Sequence, residues 1–211
     1  MQKEFSYKDM QRQMSEGVCP ICTSMQKKTL NKLNALSYAH LTDVEFRKNY
    51  IQSDGFCHHH TELFFQHSDI LAHAVLFEHL FKVKLKRASN HKNVQKKRAK
   101  TCFLCQQEKT AETLLIGIFI KGLNDKAFLN DYKEKALCCT KHFDDILNHK
   151  KTKAHQDFKE TTLKKYQRMH HHLAEIKRKN DFKYADERLS QAEIKASKQA
   201  RAIINYPFDH L

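Results

Sequence analysis

Glycine occurs four times and proline twice in 211 residues. So few turn formers exclude a β protein made of many short strands and tight hairpins. No stretch approaches the roughly 18 consecutive apolar residues that a membrane-spanning helix needs. The opening M-Q-K-E-F-S-Y-K-D-M lacks the apolar run of a secretory signal. The expectation is therefore a cytoplasmic protein that does not engage a membrane. Common catalytic motifs are missing as well: no glycine-rich phosphate loop, no Ser-His-Asp order and no HExxH. A non-enzymatic protein is expected. Lys, Leu, Ala, Gln and Glu dominate instead, and these are helix formers.

Cysteine is sparse too, with seven in the chain, yet its placement is regular. Cys19-x-x-Cys22 is followed by Cys57-x-x-His60 after 34 intervening residues, and Cys102-x-x-Cys105 by Cys139-x-x-His142 after 33. Three thiolates and one imidazole make a complete tetrahedral set for Zn²⁺ with no position left for a substrate. Paired cysteines inside a reducing cell are more often metal ligands or redox thiols than structural disulfides. The expected quartets are Cys19, Cys22, Cys57, His60 and Cys102, Cys105, Cys139, His142. Iron–sulfur ligation is the metal alternative, and a thiol redox sensor is the rival function. Alignment of the two halves matches Cys139 with Cys57, which leaves Cys138 spare.

The repetition extends beyond the donors. Leu41, Asp43, Phe46 and Tyr50 reappear as Leu123, Asp125, Phe128 and Tyr132, and His67 and His73 as His149 and His155. An internal duplication is the simplest account. Each half reads as three helices: one from the CxxC, a short one opened by Asp43 or Asp125, and one from the CxxH. Two reversals of direction would bring the first and third helix starts together. The third helix of the first half carries Leu63, Phe64, Ile70, Leu71, Phe77, Leu80 and Phe81, and its counterpart runs long after His142. A last helix places Leu189, Ala192, Ala196, Ala200 and Ile203 on one face before Tyr206-Pro207 stops it. The fold class expected is all-α, two similar three-helix modules plus C-terminal helices, divided as 1–90, 91–160 and 161–211.

The net charge of +14 is unevenly placed. Residues 82–100 carry nine Lys and Arg with no acid, and 150–211 carry fifteen against eight. The stretch from Lys82 to Lys100 and the C-terminal helices are therefore candidates to meet nucleic acid or an acidic protein, through salt-dependent and largely sequence-neutral contacts. A solvated helix extension is the competing reading. His58, His59, His67, His73, His149 and His155 raise the question of a further metal or haem. His170, His171 and His172 point in three directions around a helix and cannot form one chelating face.

The run C-P-I-C, F-R-K-x-Y, G-F-C-x-x-H, then C-F-L-C, F-L-N-x-Y and C-x-x-H-F resembles a bacterial domain family of unknown function with duplicated CPxC/GFCxxHF helical modules. The resemblance covers roughly residues 1–175. It departs at Leu137-Cys138, where the family pattern has Gly-Phe, and at Thr61, where an aromatic residue usually follows the histidine. It implies a cytoplasmic bacterial protein and no reaction.

Overall fold

Several helices start where a side chain answers their free amides or a proline removes one. A computed structural model describes residues 5–15, 17–35, 43–89, 101–149, 153–184 and 186–204. Among them are ten α-helices and no strand: α1 (Tyr7–Gln11), α2 (Pro20–Ala35), α3 (Val44–Gln52), α4 (His58–His67), α5 (Ile70–Ser89), α6 (Phe103–Gly122), α7 (Lys126–Lys135), α8 (Thr140–Leu147), α9 (Lys153–Lys179) and α10 (Gln191–Ile204). Ser6 and Asp9 form a reciprocal capping box on α1. Pro20 opens α2, where its missing N–H costs nothing. The repeat-related Asp43 and Asp125 each accept two amides, Asp43 from Glu45 and Phe46 and Asp125 from Ala127 and Phe128.

The helices gather into two compact units. One comprises Met25–Glu112, here the inner unit; the other joins Met1–Ser24 to Thr113–Leu211, here the split unit. Both divisions fall inside continuous helices, whereas the sequence reading divides the chain at 90 and 160. α2 divides after Ser24 and α6 after Glu112.

The inner unit packs Leu33 of α2, Phe46 and Tyr50 of α3, Phe64 of α4, Leu76 of α5 and Phe103 of α6 into one core. Phe56 lies among these rings, 4.8 Å from Tyr50 and 5.5 Å from Phe64, edge-on to both. α3 ends on Asp54 (φ 60°) and Gly55 (φ 98°), the Gly55 amide returning to the Tyr50 carbonyl at 2.9 Å. That left-handed turn delivers Phe56 to the core and Cys57 to the start of α4. The single third helix expected from Leu63 to Phe81 is two helices. Asp69 breaks it, accepting the Ala72 amide at 2.8 Å and so capping α5. Only Ala72 and Leu76 of α5 are buried, while Ile70, Leu71, Phe81 and Leu85 are exposed.

In the split unit, Phe119, Phe128, Tyr132 and Phe158 are fully buried, with ring centroids 5.2–5.6 Å apart. The Tyr132 hydroxyl meets the Thr162 hydroxyl at 2.7 Å and accepts the Cys138 amide at 3.2 Å. The departure at Leu137-Cys138 is thereby explained. α7 ends in extended backbone at Ala136, with no left-handed turn, and the Leu137 amide bonds instead to the Val18 carbonyl at 3.3 Å. The long helix expected after His142 is again two, α8 closing at Asn148 before α9 begins. α9 and α10 belong to this unit and pack on each other, joined by a 3₁₀ turn at Phe182–Tyr184. Ala196, Ala200 and Ile203 are buried as expected, whereas Leu189 and Ala192 are exposed. Glu193 is buried instead, its carboxylate held by Lys179 at 2.8 Å. Leu41, Thr42, residues 90–100 and Tyr206-Pro207 lie outside the described residues.

Candidate metal centres

All four short motifs do the same thing locally. Each places its first cysteine just before a helix and its second donor in the first turn. The carbonyls of Cys19, Cys57, Cys102 and Cys139 accept the amides of Thr23, Thr61, Gln106 and Phe143 at 2.9–3.1 Å, the first bonds of α2, α4, α6 and α8. A three-residue step at a helix start turns both side chains to one side. The Cys57 sulfur and His60 Nδ1 are 3.1 Å apart, as are the Cys139 sulfur and His142 Nδ1. Unpaired amides and the helix dipole at these N-termini favour thiolates.

The motifs then meet in crossed pairs. In the split unit Cys19, Cys22, Cys139 and His142 form one cluster, all buried. In the inner unit Cys57, His60, Cys102 and Cys105 form another. Within each cluster the four donor atoms lie within 4.8 Å of one another. All eight expected donors are used, but the quartets Cys19–Cys22–Cys57–His60 and Cys102–Cys105–Cys139–His142 do not form. The first helix of each repeat is the reason: α2 passes from one unit to the other after Ser24 and α6 after Glu112, so each CxxC falls in one unit and its own CxxH in the other.

In the split-unit cluster the Cys22 and Cys139 sulfurs are 3.7 Å apart, and His142 Nδ1 is 3.5 Å from Cys19 and 3.4 Å from Cys22. Cys138 is outside this quartet, yet its buried sulfur is 3.9 Å from that of Cys19. Its carbonyl accepts the Tyr166 hydroxyl at 2.8 Å. Against the burial that opposes charge, hydrogen bonds from Cys138, Cys139, Cys22 and His142 hold Cys19 well below the usual thiol range. Hydrogen bonding to Cys139 and Cys19 pushes Cys22 the other way.

In the inner-unit cluster the Cys57 and Cys105 sulfurs are 3.6 Å apart, and His60 Nδ1 is 3.4 Å from Cys105 and 3.7 Å from Cys102. Burial again opposes charge, but the His60 hydrogen bond brings Cys102 down to about 6. His60 rises to about 10 against its own desolvation, through Cys102 and then Glu108. Burial and the Cys102 charge push Cys105 up. Thiolates this close to one another repel, and a cation among them would relieve that repulsion.

Glu108 carries no mark in the sequence pattern. It lies one helical turn past Cys105 on α6, and its carboxylate contacts His60 Nε2 at 3.0 Å and accepts the Thr29 hydroxyl at 2.7 Å. The imidazole is thereby oriented with Nδ1 toward the three sulfurs, as a second-layer carboxylate does for a metal-bound histidine. An acid three residues after a CxxC on a helix was the available signal. The repeated histidines behave differently. His67, His73, His149 and His155 join no cluster of three or more close donors among the described residues. His73 stacks on Phe65 at 4.6 Å.

Comparison with known proteins follows the same outline. The profile of a family of unknown function (DUF6062) matches residues 1–83 and 74–204. The chain belongs to this family. Each matched stretch holds one CxxC and one CxxH, in keeping with duplicated modules. The chain is also similar to a protein of Caldicellulosiruptor sp. (strain Rt8B.4) titled "Uncharacterized 23.9 kDa protein in xynA 3'region". The two are 22% identical over 189 residues, which cover 86% of this chain and 91% of the relative. No solved structure matches significantly. Among the described residues no helix is long and apolar enough to cross a membrane.

Proposed function

We propose that this family member is a non-enzymatic helical binding or scaffolding protein of the cytoplasm, with each of its two Cys3His clusters pinned by one Zn²⁺. The observation that carries this reading is the mutual contact of four donors, twice, at paired helix starts. Zn–S of about 2.3 Å and Zn–N of about 2.0–2.1 Å at tetrahedral angles put neighbouring sulfurs about 3.8 Å apart, and sulfur and nitrogen about 3.5 Å apart. The sulfur pairs stand at 3.6 and 3.7 Å and the sulfur–nitrogen pairs at 3.1–3.7 Å. An iron–sulfur cluster hangs its ligands on separate irons and would spread them, so this crowding favours a single ion. A quartet of protein donors fills a tetrahedral ion and leaves no position for substrate.

Each ion would clasp two helix starts distant in sequence, so the metals act on the fold. The task would then belong to the surface. The basic excess of α9, α10 and the stretch from Lys82 supports an anionic partner, nucleic acid ahead of an acidic protein. Elemental analysis and a visible spectrum of anaerobically purified protein test the metal part. Two equivalents of zinc and no colour are expected. Iron with visible absorbance would replace the scaffold reading by the iron–sulfur sensor.

A further inference from the structure

Within the split unit a cavity of about 310 Å³ lies between the end of α7, one face of α9 and one face of α10. Five cations line it: Lys133 and Lys135 from α7, Lys165 and Arg168 from α9, and Lys195 from α10, against the carboxylate of Glu134. Lys135 is neutralised by Asp131 at 2.5 Å. No carboxylate pairs with Lys133 or Arg168 among the described residues. The Lys165 ammonium donates to the carbonyls of Tyr132 and Ala136 at the end of α7, which fixes its place and leaves one of its three N–H groups over. Burial, and then the nearby Arg168, lower Lys165 to about 8. Ala136, Leu137, Met169, Ala192 and Ala196 supply apolar wall beside the charges.

Cations on three elements facing one concavity differ from a solvated basic helix, whose charges spread outward. A cleft lined by one sign of charge concentrates the field at its centre. The guanidinium fork of Arg168 matches phosphate oxygens, and lysines add point charges. The volume is at the lower end for a small-molecule site, of the order of one nucleotide. We propose that this groove seats the phosphate of a nucleotide unit, with the apolar wall beside its organic part. The proposal sharpens the anionic-partner reading, on which it rests, and needs no metal chemistry.

The test compares the full chain with the double variant Arg168→Gln/Lys133→Gln, and with Lys159→Gln/Lys164→Gln as a charge-matched control on α9 outside the groove. None of these side chains makes a hydrogen bond or ion pair among the described residues, so folding is checked by circular dichroism and expected to hold. Probes are inorganic pyrophosphate by calorimetry and a short mixed-sequence single-stranded oligonucleotide by fluorescence anisotropy across a salt series. The double variant should weaken binding by at least about tenfold. It should also lower the oligonucleotide's salt slope by about 0.7 for each phosphate left without its cation, while the control changes little. Binding of pyrophosphate assigns the site to free phosphate esters, and binding of the oligonucleotide alone assigns it to a strand; either supports the groove. Binding that survives the double substitution overturns the groove and leaves the wider anionic reading standing. Absence of binding to both probes at low salt overturns both.

Discussion

Replacing Cys57 and Cys105 together by serine decides between crossed and within-repeat pairing. Their sulfurs are 3.6 Å apart in one cluster, so the double substitution removes two donors from a single site. The other cluster, Cys19, Cys22, Cys139 and His142, is complete without them. One zinc equivalent should remain of two. Cys22→Ser with Cys57→Ser, a pair from the same half of the sequence, takes one donor from each cluster and should remove both ions. Within-repeat pairing predicts the reverse order: none left in the first variant, one in the second. The energetic consequence is large, because a structural zinc contributes on the order of 10 kcal/mol of apparent folding free energy. Whole domains are stable by only about 5–15 kcal/mol. The unit that loses its ion should therefore lose cooperative unfolding, while the other keeps a thermal transition. Elemental analysis with calorimetry reads both effects. A Cys57→Ser/Cys105→Ser protein without zinc, beside a Cys22→Ser/Cys57→Ser protein that retains one, would refute the crossed arrangement.

Other consequences are smaller and more local. Glu108→Gln weakens the carboxylate behind His60 and should lower zinc affinity at the inner-unit site about 10- to 100-fold, the split-unit site being unchanged in a chelator competition. Cys138→Ser should keep both ions, since its sulfur is outside the quartet. It should still cost about 1–3 kcal/mol in denaturant melts, because a hydroxyl replaces a fully buried thiol. Lys165 titrates near 8 in the folded protein against an ordinary 10.5. Between those values the unfolded chain holds more protons, so this group makes stability rise with pH across that window and fall as pH drops through 8. Lys165→Met should flatten the rise, measured as the wild-type minus variant difference in unfolding midpoint.

The local half of the site was legible without coordinates. A CxxC or CxxH at a helix start brings its two donors together through a three-residue step, whatever the rest of the chain does. Asp43, Asp125 and the Phe46–Tyr50 and Phe128–Tyr132 pairs were equally plain, because capping and helical spacing are short-range. The break at Ser68-Asp69 was not, since apolar residues run through it and only the Asp69 cap shows where α5 begins. Glu108 was hidden for another reason: on sequence alone it is one acid on an exposed-looking helix turn, and its meaning comes from His60 on a different helix.

Sequence by itself thus determined the eight donors, the four helix starts that carry them and the all-helical character. Only tertiary structure decided which start faces which, because two equal repeats admit two pairings with the same spacings. Continuous helices broke that tie: α2 and α6 each carry the chain from one unit into the other, so a CxxC and its own CxxH fall in different units. The same packing turned scattered lysines and an arginine from three helices into one cationic groove, a property of where faces meet that no linear pattern encodes.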